Sequence, residues 1–101
     1  MKLVLVTVVE AYQKEVLQIF KKADIDNFSS SDIDGYKNVA TLLQASSWFS
    51  GQKHGNESTM FFSFTEEQKI DNLFVLLEAF NKNLKTNNPL KAIVLPIERF
   101  I

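Results

Sequence analysis

The sequence predicts a single α+β domain in which two amphipathic helices cover one face of an antiparallel sheet. Three observations lead to this prediction. The chain has 101 residues, 46% of them hydrophobic and nine of them Phe, which suits one domain with one core. Strand-like and helix-like runs follow one another in the order β-α-β-β-α-β. The runs at the two ends of the chain lack a clean alternation of apolar and polar residues, as strands with both faces covered do.

The first half of the chain supplies two strands and a helix. Residues 2–9 form a β-branched run typical of a strand, and residues 11–23 carry apolar side chains at helical spacing. Turn chemistry at residues 24–27 is expected to end the helix. Residues 28–36 then predict a polar strand, with Gly35 as its bend.

The second half repeats this pattern. Residues 58–64 form a strand rich in Phe. Thr65 and Gln68 have the spacing of a capping box, which predicts that Thr65 caps the helix that follows. That helix is amphipathic and is expected to stop at residues 86–89, before a last strand over residues 91–97. The complete order is that of the ferredoxin-like fold, which leaves one face of the sheet bare.

The bare face is expected to carry apolar side chains, because large apolar residues occupy both parities in the first, third and last strands. An apolar patch of this size on a monomer is either a liability or an interface. We expect an interface between copies of this chain, and cyclic homo-oligomers are the common solution.

A long connection, residues 37–57, joins the second and third strands. Loops longer than about 12–15 residues in a compact domain are usually functional or disordered. Three interpretations stay open: the loop packs on the domain or on a neighbouring subunit, it docks a partner or is ordered by a ligand, or it is disordered. A plain spacer has little reason to carry large apolar residues, here Leu42, Leu43, Trp48 and Phe49.

Composition argues against several functions. A net charge of −1 gives no basic footprint for nucleic acid or an anionic membrane. The chain has no cysteine, and no apolar run approaches the roughly 18 residues of a membrane span. No nucleophile–His–carboxylate spacing or phosphate-binding glycine loop is present, so we expect no enzyme. The simplest expectation is a cytoplasmic protein without nucleic-acid binding or membrane insertion.

Two segments resemble the PII signalling proteins, the nitrogen regulatory protein P-II family. Residues 25–36 resemble the stretch after the first helix of that family, and residues 92–98 resemble its closing strand, with Lys91 at the leading basic position. Residues 37–57 lie where the family has its T-loop. The resemblance spans nearly the whole chain, so residues 1–101 are expected to form one PII-like domain.

The resemblance implies a homotrimer with its sheets facing the trimer axis. It also implies that a small effector, typically an adenine nucleotide, binds in the clefts between subunits, and that the loop acts on a protein partner such as a membrane transporter or an enzyme. The cleft residues it implies are Phe28, Ser29, Ser31, Gly35, Lys91 and Arg99.

Three departures from the family pattern affect the nucleotide. The glycine-rich turn that holds phosphate is replaced by Asn87-Asn88-Pro89-Leu90, in which Pro89 has no N–H and Leu90 adds bulk. Asn27 and Phe28 replace the glycine and methionine of the adenine side. The loop lacks the tyrosine that some members modify. We therefore expect a divergent member with its own ligand or none.

Each cleft residue also has a plainer interpretation. Lys91 is either a cation for a ligand anion or a solvated strand-start lysine. Ser29 and Ser31 either bind a ligand or give an edge strand its ordinary polarity. Gly35 serves backbone geometry first, and Arg99 either reaches an anion or pairs with Glu98.

His54, the only histidine, supports an alternative function. A three-fold assembly brings three copies of His54 together, and some PII-like and CutA-type trimers are linked to metals. The alternative is a metal-responsive trimer that binds a divalent ion. An ordinary surface histidine, and a structural oligomer without a ligand, are further interpretations.

Overall fold

The computed structural model describes residues 1–36, 56–84 and 88–101. These residues form an α+β fold of four strands and two helices in the predicted order, and a short 3-10 turn, Glu10–Tyr12, precedes the first helix. The elements are β1 Lys2–Val9, α1 Gln13–Lys22, β2 Ser29–Gly35, β3 Asn56–Thr65, α2 Glu67–Asn83 and β4 Lys91–Pro96. The predicted fold class is confirmed.

The strands form one antiparallel sheet in the order β2-β3-β1-β4, which is compatible with a ferredoxin-like fold. β1 is central, and its Val6 lies opposite Phe61 of β3 and Ala92 of β4. β2 and β4 are the two edges. Among the described residues, no helix is both long and apolar enough to cross a membrane.

The core lies between the helices and one face of the sheet. β1 contributes every second residue to it, because successive side chains of a strand point to opposite faces. Phe61 is the large contribution from β3, and its ring lies 5.5 Å from that of Phe20 on α1. The core members are Val4, Val6, Val8, Val16, Ile19, Phe20, Ala23, Ile25, Phe61, Ile70, Leu73, Leu77 and Leu90.

The other face of the sheet is apolar, and neither of the two described helices covers it. Phe64, Ile93 and Leu95 are 57%, 50% and 43% exposed on it. The register places Leu5 of β1 between Phe62 and Ile93 on the same face. We call this surface, Leu3, Leu5, Met60, Phe62, Phe64, Ile93 and Leu95, the bare face.

β3 is apolar on its outward face, and apart from Phe61 its core face carries hydroxyl side chains. Its side chains that point toward the helices include Thr59, Ser63 and Thr65, and all three are buried. Met60, Phe62 and Phe64 point the other way. Thr59 Oγ1 is buried without a hydrogen-bond partner among the described residues, a cost usually of about 1–3 kcal/mol.

α1 ends in a Schellman motif. Asp24 adopts a left-handed conformation with φ of 61°, which Asp tolerates better than most residues. The Asp24 N–H donates to the Lys21 carbonyl at 3.1 Å and the Ile25 N–H to the Phe20 carbonyl at 2.9 Å. Ile25 and Phe20 are both buried, as this motif favours. The predicted turn is confirmed, and it sends the chain toward β2.

The predicted capping box is wrong. Thr65 is the last residue of β3, paired with Lys2 and 8% exposed, so its side chain belongs to the core face. Glu66 is the N-cap of α2 and makes no side-chain cap hydrogen bond. Glu67 in the first turn has the charge that a helix N-terminus favours, and it also accepts from Lys2 Nζ at 3.0 Å.

Candidate functional site

A cleft of about 240 Å³ opens on the bare-face side of the sheet, at the end where residues 37–55 depart. β2 contributes Gly35 to its lining and β4 contributes Lys91, so two residues predicted for the ligand site line one cleft. Pro89 joins them from the turn that replaces the glycine-rich turn. We call this the loop-end cleft.

Asn81 of α2 fixes the turn beside the loop-end cleft. Its Nδ2 donates to the Leu90 carbonyl at 2.9 Å, and its Oδ1 accepts from the Leu90 N–H at 3.0 Å. Leu90 is 4% exposed, so this pair of bonds anchors the start of β4 in the core. Pro89 and Lys91 are held on either side of that anchor.

We call the two hydrogen bonds between Asn81 and Leu90 the Asn81 clamp. It limits the donors that the turn can offer to a phosphate group. Pro89 has no N–H, and the N–H of Leu90 is already donated to Asn81. Two successive positions of the turn therefore offer no donor to a phosphate oxygen. Asn81 cannot be recognised from the sequence, because nothing in its spacing sets it apart from an ordinary helix-surface asparagine.

A second cleft, of about 340 Å³, lies near the start of β2 and is lined by Phe28 and Ser29. Phe28 is 38% exposed, and its ring packs edge-on against Phe20 at 5.2 Å and Phe61 at 5.8 Å. Phe28, which was predicted to contact a ligand, therefore also covers part of the hydrophobic core. We call this the aromatic cleft.

One chain does not bring all the predicted residues together. Ser29 and Gly35 are the first and last residues of β2, which places them roughly 20 Å apart along the strand. Ser31 lies exposed between them, with a long hydrogen bond of 3.4 Å from its Oγ to the Asp32 carbonyl. Arg99 is exposed beyond the end of β4, toward the Ser29 end of the sheet.

An acidic cleft of about 380 Å³ adjoins the loop-end cleft and shares Ile33 and Ser58 with it. Its acidic residues are Glu10, Asp32, Asp34 and Glu57. In the part of the chain that the structure describes, no group of three or more His, Cys, Asp or Glu side chains is arranged to hold a metal ion.

Several predicted residues lie outside the described ranges. They are the loop residues Leu42, Leu43, Trp48 and Phe49 and the candidate metal ligand His54. The predicted loop is also slightly too long, since Asn56 and Glu57 already belong to β3, where they lie opposite Gly35 and Asp34.

Comparison with known proteins adds no relative: no protein-family model matches this chain, and no curated protein matches it. The PII resemblance therefore depends on the motifs and on their order along the chain.

Proposed function

We propose that this protein is a PII-like regulator that works as a homotrimer. In this proposal a small effector binds in the clefts between subunits, and the loop, shortened to residues 37–55, passes the signal to a protein partner, a membrane transporter or an enzyme. The role is regulatory rather than catalytic, and the site of action is the cytoplasm.

The bare face is the observation that carries the proposal. A four-stranded sheet with Phe64, Ile93 and Leu95 about half exposed has an apolar surface that water solvates poorly. β3 increases the cost, since it buries three hydroxyl groups and turns Met60, Phe62 and Phe64 outward. Contact with further copies of the chain removes this surface from water.

A trimer also accounts for the separation of the predicted ligand residues. One subunit would contribute Gly35 and Lys91 from its loop-end cleft. Its neighbour would contribute Phe28, Ser29 and Arg99 from the other end of its sheet, with Ser31 on the strand between. Each of the three sites is then complete only between two subunits, as the resemblance implies.

The loop-end cleft couples such a site to the loop. Gly35 and Tyr36 line the cleft, and the chain continues from Tyr36 directly into residues 37–55. A ligand that contacts these residues in one loop conformation shifts the population toward it, by the difference of its two binding free energies.

We expect the protein to have the mass of a trimer, three times 11.5 kDa, in light scattering at micromolar concentration. Burial of the bare face supplies the free energy of association. Matched runs in low and high salt should give the same mass, because an apolar contact is not screened. A measured mass of 11.5 kDa would contradict both the proposed trimer and the ligand site shared between its subunits.

We expect calorimetric titration with ATP and magnesium to give weak or no binding at micromolar levels. The turn offers no N–H at Pro89 or Leu90, and Lys91 is the only charged side chain lining the loop-end cleft among the described residues. Tight magnesium-dependent binding of ATP would contradict this account of the turn, while leaving the trimer in place.

A further inference from the structure

A notch interrupts the β2 edge of the sheet. β2 pairs with β3 only as far as Ser29 opposite Phe62, so the last residues of β3, Ser63 to Thr65, have no strand on that side. The chain arriving from α1 passes this edge instead, and Ser63 Oγ donates to the Asn27 carbonyl at 2.6 Å. All these residues lie in the described part of the chain.

Two clefts meet in the notch. The aromatic cleft, of about 340 Å³, adjoins a smaller one of about 160 Å³ near the start of α2. Asp26, Asn27, Ser63 and Phe64 line both. The two clefts therefore share part of their lining at this edge, and the larger one has room for a small organic molecule.

Aromatic rings form the apolar part of the notch. Phe28 has its inner edge fixed against Phe20 and Phe61 and is 38% exposed on its outer side. Phe62 and Phe64 lie edge-to-face with ring centroids 6.3 Å apart, and Phe64 is 57% exposed. The faces of such rings carry partial negative charge and attract cations.

The charged side chains of the notch have the complementary sign. Its lining includes three carboxylates, those of Asp24, Asp26 and Glu66, and two cations, the Lys69 side chain and the N-terminal amino group of Met1. Lys69 Nζ lies 3.6 Å from Asp24 Oδ2, so this cation is already paired. Asp26 forms no ion pair with another described residue and lies next to Phe28 in the chain. An anion is repelled here, and a cation is attracted by the carboxylate and the rings together.

We propose that the notch binds a small organic cation, an ammonium or guanidinium group on an apolar body. The charged group would lie at Asp26 and the apolar body against Phe28, and these two residues line the same cleft. This names a ligand class for the Phe28–Ser29 half of the site, and it rests on the proposed function for the role of that half in signalling. The contacts themselves lie within one chain and do not require the trimer.

The test compares two molecules of nearly equal shape, phenethylammonium and phenethyl alcohol, by NMR titration of the intact protein. The amide signals of residues 63–65 should shift with saturation. We expect the cation to bind at least about five-fold more tightly than the alcohol, as a partly exposed charge contact of about 1 kcal/mol requires. Added salt should weaken the cation alone.

Two variants test the site. Asp26→Asn should lower the affinity for the cation about five-fold and leave the alcohol unchanged. Asp71→Asn, at an exposed carboxylate of α2 outside the notch, should change neither. Equal binding of cation and alcohol, no saturable binding, or an unaffected Asp26→Asn variant would each overturn the proposal.

Light scattering of the same samples separates this proposal from the proposed function. If the protein is a trimer but binds the cation and the alcohol equally, the cation site is refuted and the proposed function is not. A monomer that binds the cation refutes the trimeric regulator but supports the site.

Discussion

Replacing Ile93 by Glu is expected to convert the proposed trimer into monomers without unfolding the chain. Ile93 is 50% exposed on the bare face and lies opposite Leu5 of the central strand. In a single chain the new carboxylate stays in water. In the proposed trimer it would be buried among apolar side chains, which costs several kcal/mol in addition to the lost apolar contact. The dissociation constant should rise at least about a hundred-fold, measured by light scattering over a dilution series.

Val75→Glu is the matched control. Val75 is also β-branched and is 67% exposed, but it lies on the outer surface of α2. This variant should keep the mass of the wild type. Circular dichroism of both variants shows whether the fold is kept. If folded Ile93→Glu remains trimeric, or if Val75→Glu dissociates instead, the bare face is not the interface.

The architecture could be predicted from the sequence, because it depends on hydrophobic period. A run such as Lys2–Val9 and a helical run such as α2 differ in which positions are apolar, and their order leaves few topologies. The bare face was also predictable. It follows from large apolar residues at both parities, and Phe61 and Phe62 are the plainest case.

Which face of β3 packs against the helices could not be predicted in the same way. The segment from Ser58 to Thr65 has apolar and hydroxyl side chains at both parities, so the sequence does not say which set faces the helices. Pairing with β1 decides it, since Val6 lies opposite Phe61. The capping-box prediction failed for a related reason. Thr65 suits both a cap and a strand, and its pairing with Lys2 extends β3 by one residue.

The candidate site was predicted only in part, because it depends on contacts distant in the sequence. Gly35 and Lys91 line one cleft because the topology brings the end of β2 and the start of β4 to the same end of the sheet. The Asn81 clamp on Leu90 joins residues nine apart across a turn, and no local pattern marks it. The charge of the notch appears only once the start of β2 and the end of β3 are adjacent.

The neighbours Phe61 and Phe62 allow the loss of core packing to be compared with the loss of subunit contact at a single residue type. Phe61 is 1% exposed and contacts the rings of Phe20 and Phe28 in the core. Phe62 points to the bare face. Phe61→Ala is expected to lower the free energy of unfolding by about 3–5 kcal/mol through lost burial and the cavity left behind. Phe62→Ala is expected to cost a single chain only about 1 kcal/mol, because its ring is already partly in water.

Urea unfolding at several protein concentrations distinguishes the two effects. The stability of an oligomer depends on protein concentration, because subunits that associate only when folded draw the equilibrium toward the folded state. Phe61→Ala should lower the midpoint at every concentration and keep that dependence. Phe62→Ala should weaken association, so its midpoint should fall most in dilute samples. The opposite result would contradict this assignment. If Phe62→Ala associates as tightly as the wild type while Phe61→Ala dissociates, the face of β3 that carries Phe61, and not the bare face, contacts the neighbouring subunits.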